Sequence, residues 1–195
     1  MRARFILDAA RELLVEKGYR GTSMDEIAAR VGIAKGTLYQ HFLHKEDLVL
    51  ALLEEHMERF ARTLYEAAAA PLPARARLEQ VLRYVYDGRD GAYTMIQLLT
   101  RDPEIWRSLA DRKEQALGRL ERTMAQVGRI LEDGKADGSF DPVVPTALML
   151  RAFMNALTLG RPEPGSGLEG LSRAELAAHV GRVLFEGIGR RAAGG

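Results

Sequence analysis

Apolar residues in this chain return at three- and four-residue spacing from one end to the other, and no stretch alternates long enough to make a strand. Ile6, Ala9, Ala10, Leu13 and Leu14 form one stripe, and Lys17-Gly18 supplies a basic last turn with a glycine stop. Ser23-Met-Asp-Glu26 is a capping box that opens a short helix carrying Met24, Ile27, Ala28 and Val31, and Gly32 ends it. A third short helix covers Ala34 to His41, and a long fourth begins at Lys45-Glu46 and stops before Pro71 and Pro73. Leu78, Val81, Leu82 and Val85 mark a fifth. A sixth is expected around Tyr93 to Thr100, and Asp102-Pro103 caps the next, which runs through Leu117, Leu120, Met124, Val127 and Leu131. Asp133-Gly134 and Asp137-Gly138 read as breaks, Asp141-Pro142 as a new start, residues 160–171 as a mobile loop, and Ser172-Arg-Ala-Glu175 as a second capping box opening a helix to about Ile188. The expectation is an all-α protein of about nine helices, divided near residue 46 into a small domain (1–46) and a larger one (47–195).

Composition removes several functions. With no cysteine among 195 residues, disulfides, thiolate catalysis and cysteine-based zinc sites are excluded, and a reducing cytoplasm is the expected setting. Met1 to Ala10 is charged and amphipathic, unlike a secretion signal. Val143 to Leu159 is the most apolar stretch, but Pro145, Arg151 and Asn155 interrupt it and it falls short of the roughly 20 residues a membrane span needs. No phosphate-binding glycine loop, G-x-S-x-G, H-E-x-x-H or catalytic triad is evident, so neither an enzyme nor a cofactor or metal is expected. A net charge of +1 means that any nucleic-acid surface must come from local placement of charge.

Such placement occurs at "GIAKGTLYQHF", residues 32–42. Ala34, Leu38 and Phe42 share one face at four-residue spacing, while Lys35 and Tyr39 lie opposite, with Gly36, Thr37 and Gln40 nearby. From Arg30 to Lys45 there are three lysines or arginines and no acidic residue, as a helix entering a DNA groove requires. Gly36 weakens a helix by roughly 1 kcal/mol against alanine, yet lets a backbone approach something closely. Two short helices around a glycine turn make a helix-turn-helix.

At full length, "GYRGTSMDEIAARVGIAKGTLYQHFLHKEDLVLAL", residues 18–52, resembles the DNA-binding signature of TetR-type transcriptional repressors. The resemblance covers about the first fifty residues. It implies that Lys35, Gly36 and Gln40 lie next to bases, and that Thr22, Ser23, Thr37, Tyr39, His41 and Lys45 contact phosphates. Ala34 departs from the serine often found there as a helix cap. The resemblance further implies a two-fold dimer on a palindromic double-stranded operator. It also implies a larger domain whose small-molecule effector shifts the fourth helix and releases the DNA.

The residues add their own hints. Val143 to Leu159 is apolar on every side and calls for cover by a partner subunit, with the last helix beside it. Expected interface residues are Val144, Leu148, Arg151, Leu176, Val180, Val183, Leu184 and Ile188. Phe60, Leu64, Tyr84, Tyr93, Ile96, Trp106, Leu109, Met124, Val127, Phe153 and Met154 are candidates for the effector pocket. Each on its own is better explained as plain core, and the scarcity of charge among them favours a lipophilic ligand such as an acyl chain, an aromatic compound or an acyl thioester of coenzyme A. The alternatives are a ligand-responsive activator and a helical interaction module without DNA binding.

Overall fold

The computed structural model describes residues 2–87, 113–157, 159 and 165–187. Eight helices occur among them: α1 Arg2–Lys17, α2 Met24–Val31, α3 Lys35–His41, α4 Lys45–Ala69, α5 Ala74–Asp87, α6 Lys113–Ala136, α7 Thr146–Leu157 and α8 Arg173–Glu186. The described residues hold no strand. The helix expected at Tyr93 to Thr100 and the Asp102-Pro103 cap lie outside the described residues.

The described residues divide into two compact units, one of residues 2–60 and 113–120 and the other of 61–87, 121–157, 159 and 165–187. The division falls inside α4, whose first half supplies core to the first unit. Leu48, Val49, Leu52 and Leu53 are buried with Ile6, Leu13, Leu14, Ile27 and Leu38.

Local chemistry sets the ends of the helices in the first unit. Ser23 accepts from the Glu26 N–H at 3.2 Å while Glu26 accepts from the Ser23 N–H at 3.0 Å, so two of the open donors of α2 are satisfied. Gly32 closes α2 at φ 74°, a left-handed conformation that disfavours a side chain. The Ile33 N–H then returns to the Ala28 carbonyl at 3.0 Å. That turn aims α3 away from α2, and Leu38, fully buried, fastens it to the core.

In the second unit α8 packs along α5. Leu176, Ala177 and Val180 are buried on α8, as are Leu78, Val81, Leu82 and Val85 on α5. Tyr86 donates from its hydroxyl to the Ala156 carbonyl at 2.6 Å, joining α5 to α7. Arg77, nearly buried, donates to Asp133 at 2.9 Å and to the Ala68 carbonyl at 3.1 Å. A buried guanidinium is tolerated only with such partners. Asp137 accepts from the Ala74 N–H at 3.0 Å and so caps α5.

Three sequence expectations change here. Asp133-Gly134 does not break the chain: α6 continues to Ala136, and Gly134 lies within it. A Cβ on Gly134 would stand 2.1 Å from the Phe140 ring and 2.9 Å from the Ala74 Cβ, so the glycine admits a neighbour. Asp141-Pro142 makes a turn, with the Val143 N–H donating to Asp141, and α7 starts after Pro145. Val143 therefore precedes the helix and is exposed. The last helix ends at Glu186, with Gly187 at φ 78°. Ile188 lies outside the described residues.

Candidate nucleic-acid interface

α3 has seven residues, and its burial pattern separates an anchor from a free face. Leu38 is buried and Phe42 packs half-buried against the same core. Lys35, Gly36, Tyr39, Gln40 and His41 are exposed, and Thr37 is half-buried. Tyr39, 42% exposed, is one of the larger apolar surfaces on the unit.

Gly36 has an ordinary helical backbone, and a Cβ built on it meets nothing within 4 Å. The fold itself has no need of glycine there, although glycine weakens the helix. Ala34, at the start of α3, makes no side-chain cap bond.

Thr22 sits in the turn between α1 and α2. It is 2% exposed, and its hydroxyl donates to the Gly18 carbonyl at 2.8 Å. Its side chain holds the α1–α2 turn from inside. Ser23 is exposed, and its hydroxyl is engaged with Glu26 in the capping box.

Lys45 is likewise occupied. Its ammonium donates to the Tyr19 carbonyl at 2.7 Å and the Thr22 carbonyl at 3.0 Å, and stands 3.9 Å above the Tyr19 ring. The Tyr19 hydroxyl donates to Glu46 at 2.6 Å and holds that carboxyl below the usual range. In the free chain Lys45 thus ties the start of α4 to the α1–α2 turn. The sequence offered Tyr19 only as part of "GYRGT", with no local signal of this partnership.

Several other cations of the unit face carboxylates. Lys17 meets Glu26 at 2.6 Å, and the Lys17 ammonium, with the Ser23 hydroxyl and N–H, lowers the Glu26 carboxyl to about 2. Arg30 reaches Glu12 at 3.2 Å and Glu16 at 3.0 Å. Lys35 meets Asp25 of α2 at 2.6 Å, which raises the affinity of its amine for a proton. Asp25 was not among the residues picked out from the sequence.

The candidate effector residues fall in both units. Phe60 is buried in the first; in the second Leu64, Val127 and Phe153 are buried and Tyr84, Met124 and Met154 half-buried. Tyr93, Ile96, Trp106 and Leu109 lie outside the described residues. Two open grooves occur in the second unit. One of about 240 Å³ lies between α5 and α8, with Arg75, Arg83 and Arg182 on its walls. The other, about 580 Å³, is lined by Ala68, Ala125, Gly128, Arg129 and Thr146 among others. No candidate effector residue among the described ones lines either groove.

The expected dimer surface is sorted by burial. Leu148 and Val183 are exposed, at 59% and 54%, and Arg151 is exposed; Val144 and Leu184 are half-buried. Leu176 and Val180 are buried within the chain on the side of α8 that packs on α5. No helix among the described residues is long and apolar enough to cross a membrane, and no group of three or more His, Cys, Asp or Glu side chains there could hold a metal ion.

Comparison with known proteins gives concordant results. Residues 6–52 match "Bacterial regulatory proteins, tetR family". The HTH-type transcriptional repressor KstR2 of Rhodococcus jostii is 29% identical over 147 residues, 75% of this chain and 71% of that protein. The HTH-type transcriptional activator FasR of Mycolicibacterium smegmatis is 38% identical over 82 residues, but these span only 42% of this chain and 37% of FasR. In structure, the chain resembles AibR, solved in complex with isovaleryl coenzyme A and operator DNA. The TM-score is 0.74 at 23% identity, covering 95% of this chain and 98% of AibR, which establishes the fold. These relatives are transcriptional regulators, not enzymes.

Proposed function

We propose, from the premise that residues 6–52 make this chain a member of the tetR family of bacterial regulatory proteins, that it is a dimeric repressor which reads a palindromic operator and leaves it when a small lipophilic effector binds. The observation that carries the DNA-reading assignment is Gly36. Among the described residues nothing touches the place of its missing side chain, which leaves the gap open to a partner from outside. A glycine flanked by Lys35 and Thr37 on an exposed face, with no acidic residue from Arg30 to Lys45, suits the edge of a base pair. Lys35, Gly36 and Gln40 are assigned to the bases, and Ser23, Thr37, Tyr39 and His41 to the phosphates, with Thr22 and Lys45 supporting the frame.

One such helix reads too few bases for specificity, and a two-fold partner doubles the reading surface. Leu148 and Val183, exposed in the single chain, together with Arg151, Val144 and Leu184, are the proposed dimer contact. For the effector, the half-buried Tyr84, Met124 and Met154 and the buried Leu64, Val127 and Phe153 favour an apolar ligand. The coenzyme A thioester held by AibR supports an acyl thioester. An effector that prefers the DNA-free conformation shifts the population off the operator, and the operator weakens the effector equally.

A repressor is favoured because KstR2, matched over 71% of its length, is one. FasR supports an activator, through a match of little more than a third of its length. The helical interaction module is disfavoured because Lys35, Gly36 and Tyr39 all keep their exposed positions.

The test is selection of duplexes bound by the full chain from random DNA, followed by binding of the recovered sequence to Lys35→Ala and Tyr39→Ala. A palindrome is expected, with affinity roughly ten- to a hundredfold lower in each variant. Failure to enrich any sequence removes the function, and unchanged affinity in both variants removes the site.

A further inference from the structure

The acid-free stretch from Arg30 to Lys45 does not leave its central lysine uncompensated, because a carboxylate arrives from another helix. Asp25 of α2 lies 2.6 Å from the Lys35 ammonium, and both side chains are more than half exposed, at 55% and 66%. Lys17, Arg30 and Arg11 are also paired with carboxylates, but all three lie outside α3. The capping box is made by Ser23 and Glu26, and the Asp25 carboxylate takes no part in it. Its position is therefore free to serve Lys35.

We infer that Asp25 is a specificity-determining residue, which keeps Lys35 from the phosphates of unrelated DNA and yields it only where a base edge outbids the carboxylate. A phosphate oxygen offers the ammonium little that Asp25 does not already provide, and taking it leaves Asp25 unpaired beside a polyanion. A guanine edge presents O6 and N7 together in the major groove and gives two acceptors at one point. On unrelated DNA Lys35 stays with Asp25, and one phosphate fewer is neutralised. On the operator the lysine changes partner. This rests on the DNA-reading assignment of α3 made above.

The experiment uses the full chain, the duplex recovered by selection and a mixed-sequence duplex of equal length, with binding measured over a range of salt concentrations. Asp25→Asn is expected to bind the mixed duplex several-fold more tightly, with a salt slope steeper by about 0.9, the value for one further phosphate. The selected duplex gains less, so discrimination falls. Asp25→Glu keeps the discrimination of the parent, and Asp25→Asn made in a Lys35→Met background brings no gain. Equal gains on both duplexes, an unchanged slope, or a gain that persists without Lys35 would each overturn the inference, the last by showing that Asp25 merely repels DNA. Circular dichroism of each variant verifies that α2 is retained. If the parent chain does not distinguish the two duplexes, the DNA-reading assignment fails, and the inference fails with it.

Discussion

Gly36 in the first unit and Gly134 in the second both sit inside helices, yet a methyl group added to each would meet opposite conditions. At Gly134 it would overlap the Phe140 ring at 2.1 and 2.4 Å and crowd the Ala74 Cβ. Phe140 has little room to retreat: its ring stacks on Phe185 at 5.9 Å, and its N–H donates to the Gly134 carbonyl at 2.9 Å. At Gly36 the same methyl group would meet nothing. One glycine is required by packing within the chain, and the other is not. A helical glycine with open space at its Cβ, on the acid-free face of α3, suits a partner that must come close.

Three substitutions test that contrast. Gly134→Ala should destabilise the chain by about 1–3 kcal/mol through overpacking, read as a lower midpoint in thermal or urea unfolding. An unchanged midpoint would mean that Phe140 moves aside easily. Gly36→Ala should do the reverse, raising stability by about 0.5–1 kcal/mol through helix propensity while weakening operator binding. Gly128→Ala sharpens the comparison. Gly128 is helical and open as well, but lies in the second unit, so the same gain in stability should come with operator affinity intact. Should Gly36→Ala bind the operator as well as the parent does, the partner argument is lost.

A smaller effect concerns acid. Glu26 titrates near 2 in the folded chain against an ordinary value of 4.5, held down first by Lys17 and then by Ser23. A depressed carboxylate contributes stability above its unfolded value and loses it as the pH falls through the folded one. The parent should therefore lose stability more steeply than Glu26→Gln as the pH is lowered from about 4.5 to about 2. The group is solvent-exposed, so the difference in slope should be slight. Parallel curves would show that the capping pair contributes nothing measurable.

Sequence revealed the two units unequally. Ser23 with Glu26, Ser172 with Glu175, Gly32, and the Leu38–Phe42 face were all legible because each signal lies within one turn of helix. Pairings made across the fold left no such trace. Nothing near Lys35 in sequence announces Asp25, and nothing near Lys45 announces the carbonyls of Tyr19 and Thr22. Asp133-Gly134 was misread for the same reason. Aspartate-glycine is a local turn signal, but Asp133 serves Arg77 and Gly134 makes room for Phe140. At α8 the spacing correctly marked Leu176 and Val180 as apolar positions, yet periodicity cannot say whether the cover is another helix of the same chain or a second subunit.

α4 joins two of these unannounced contacts. It runs for 25 residues without proline or glycine, roughly 37 Å at the usual rise per residue. Helices commonly fray at their ends, and frayed turns absorb a push before it travels. Here Lys45 is pinned at the beginning by two carbonyls, and the Ala68 carbonyl near the end is held by the buried Arg77. To unwind either terminus would strand a cation or expose a buried one. A cation thus holds each end of the helix against fraying.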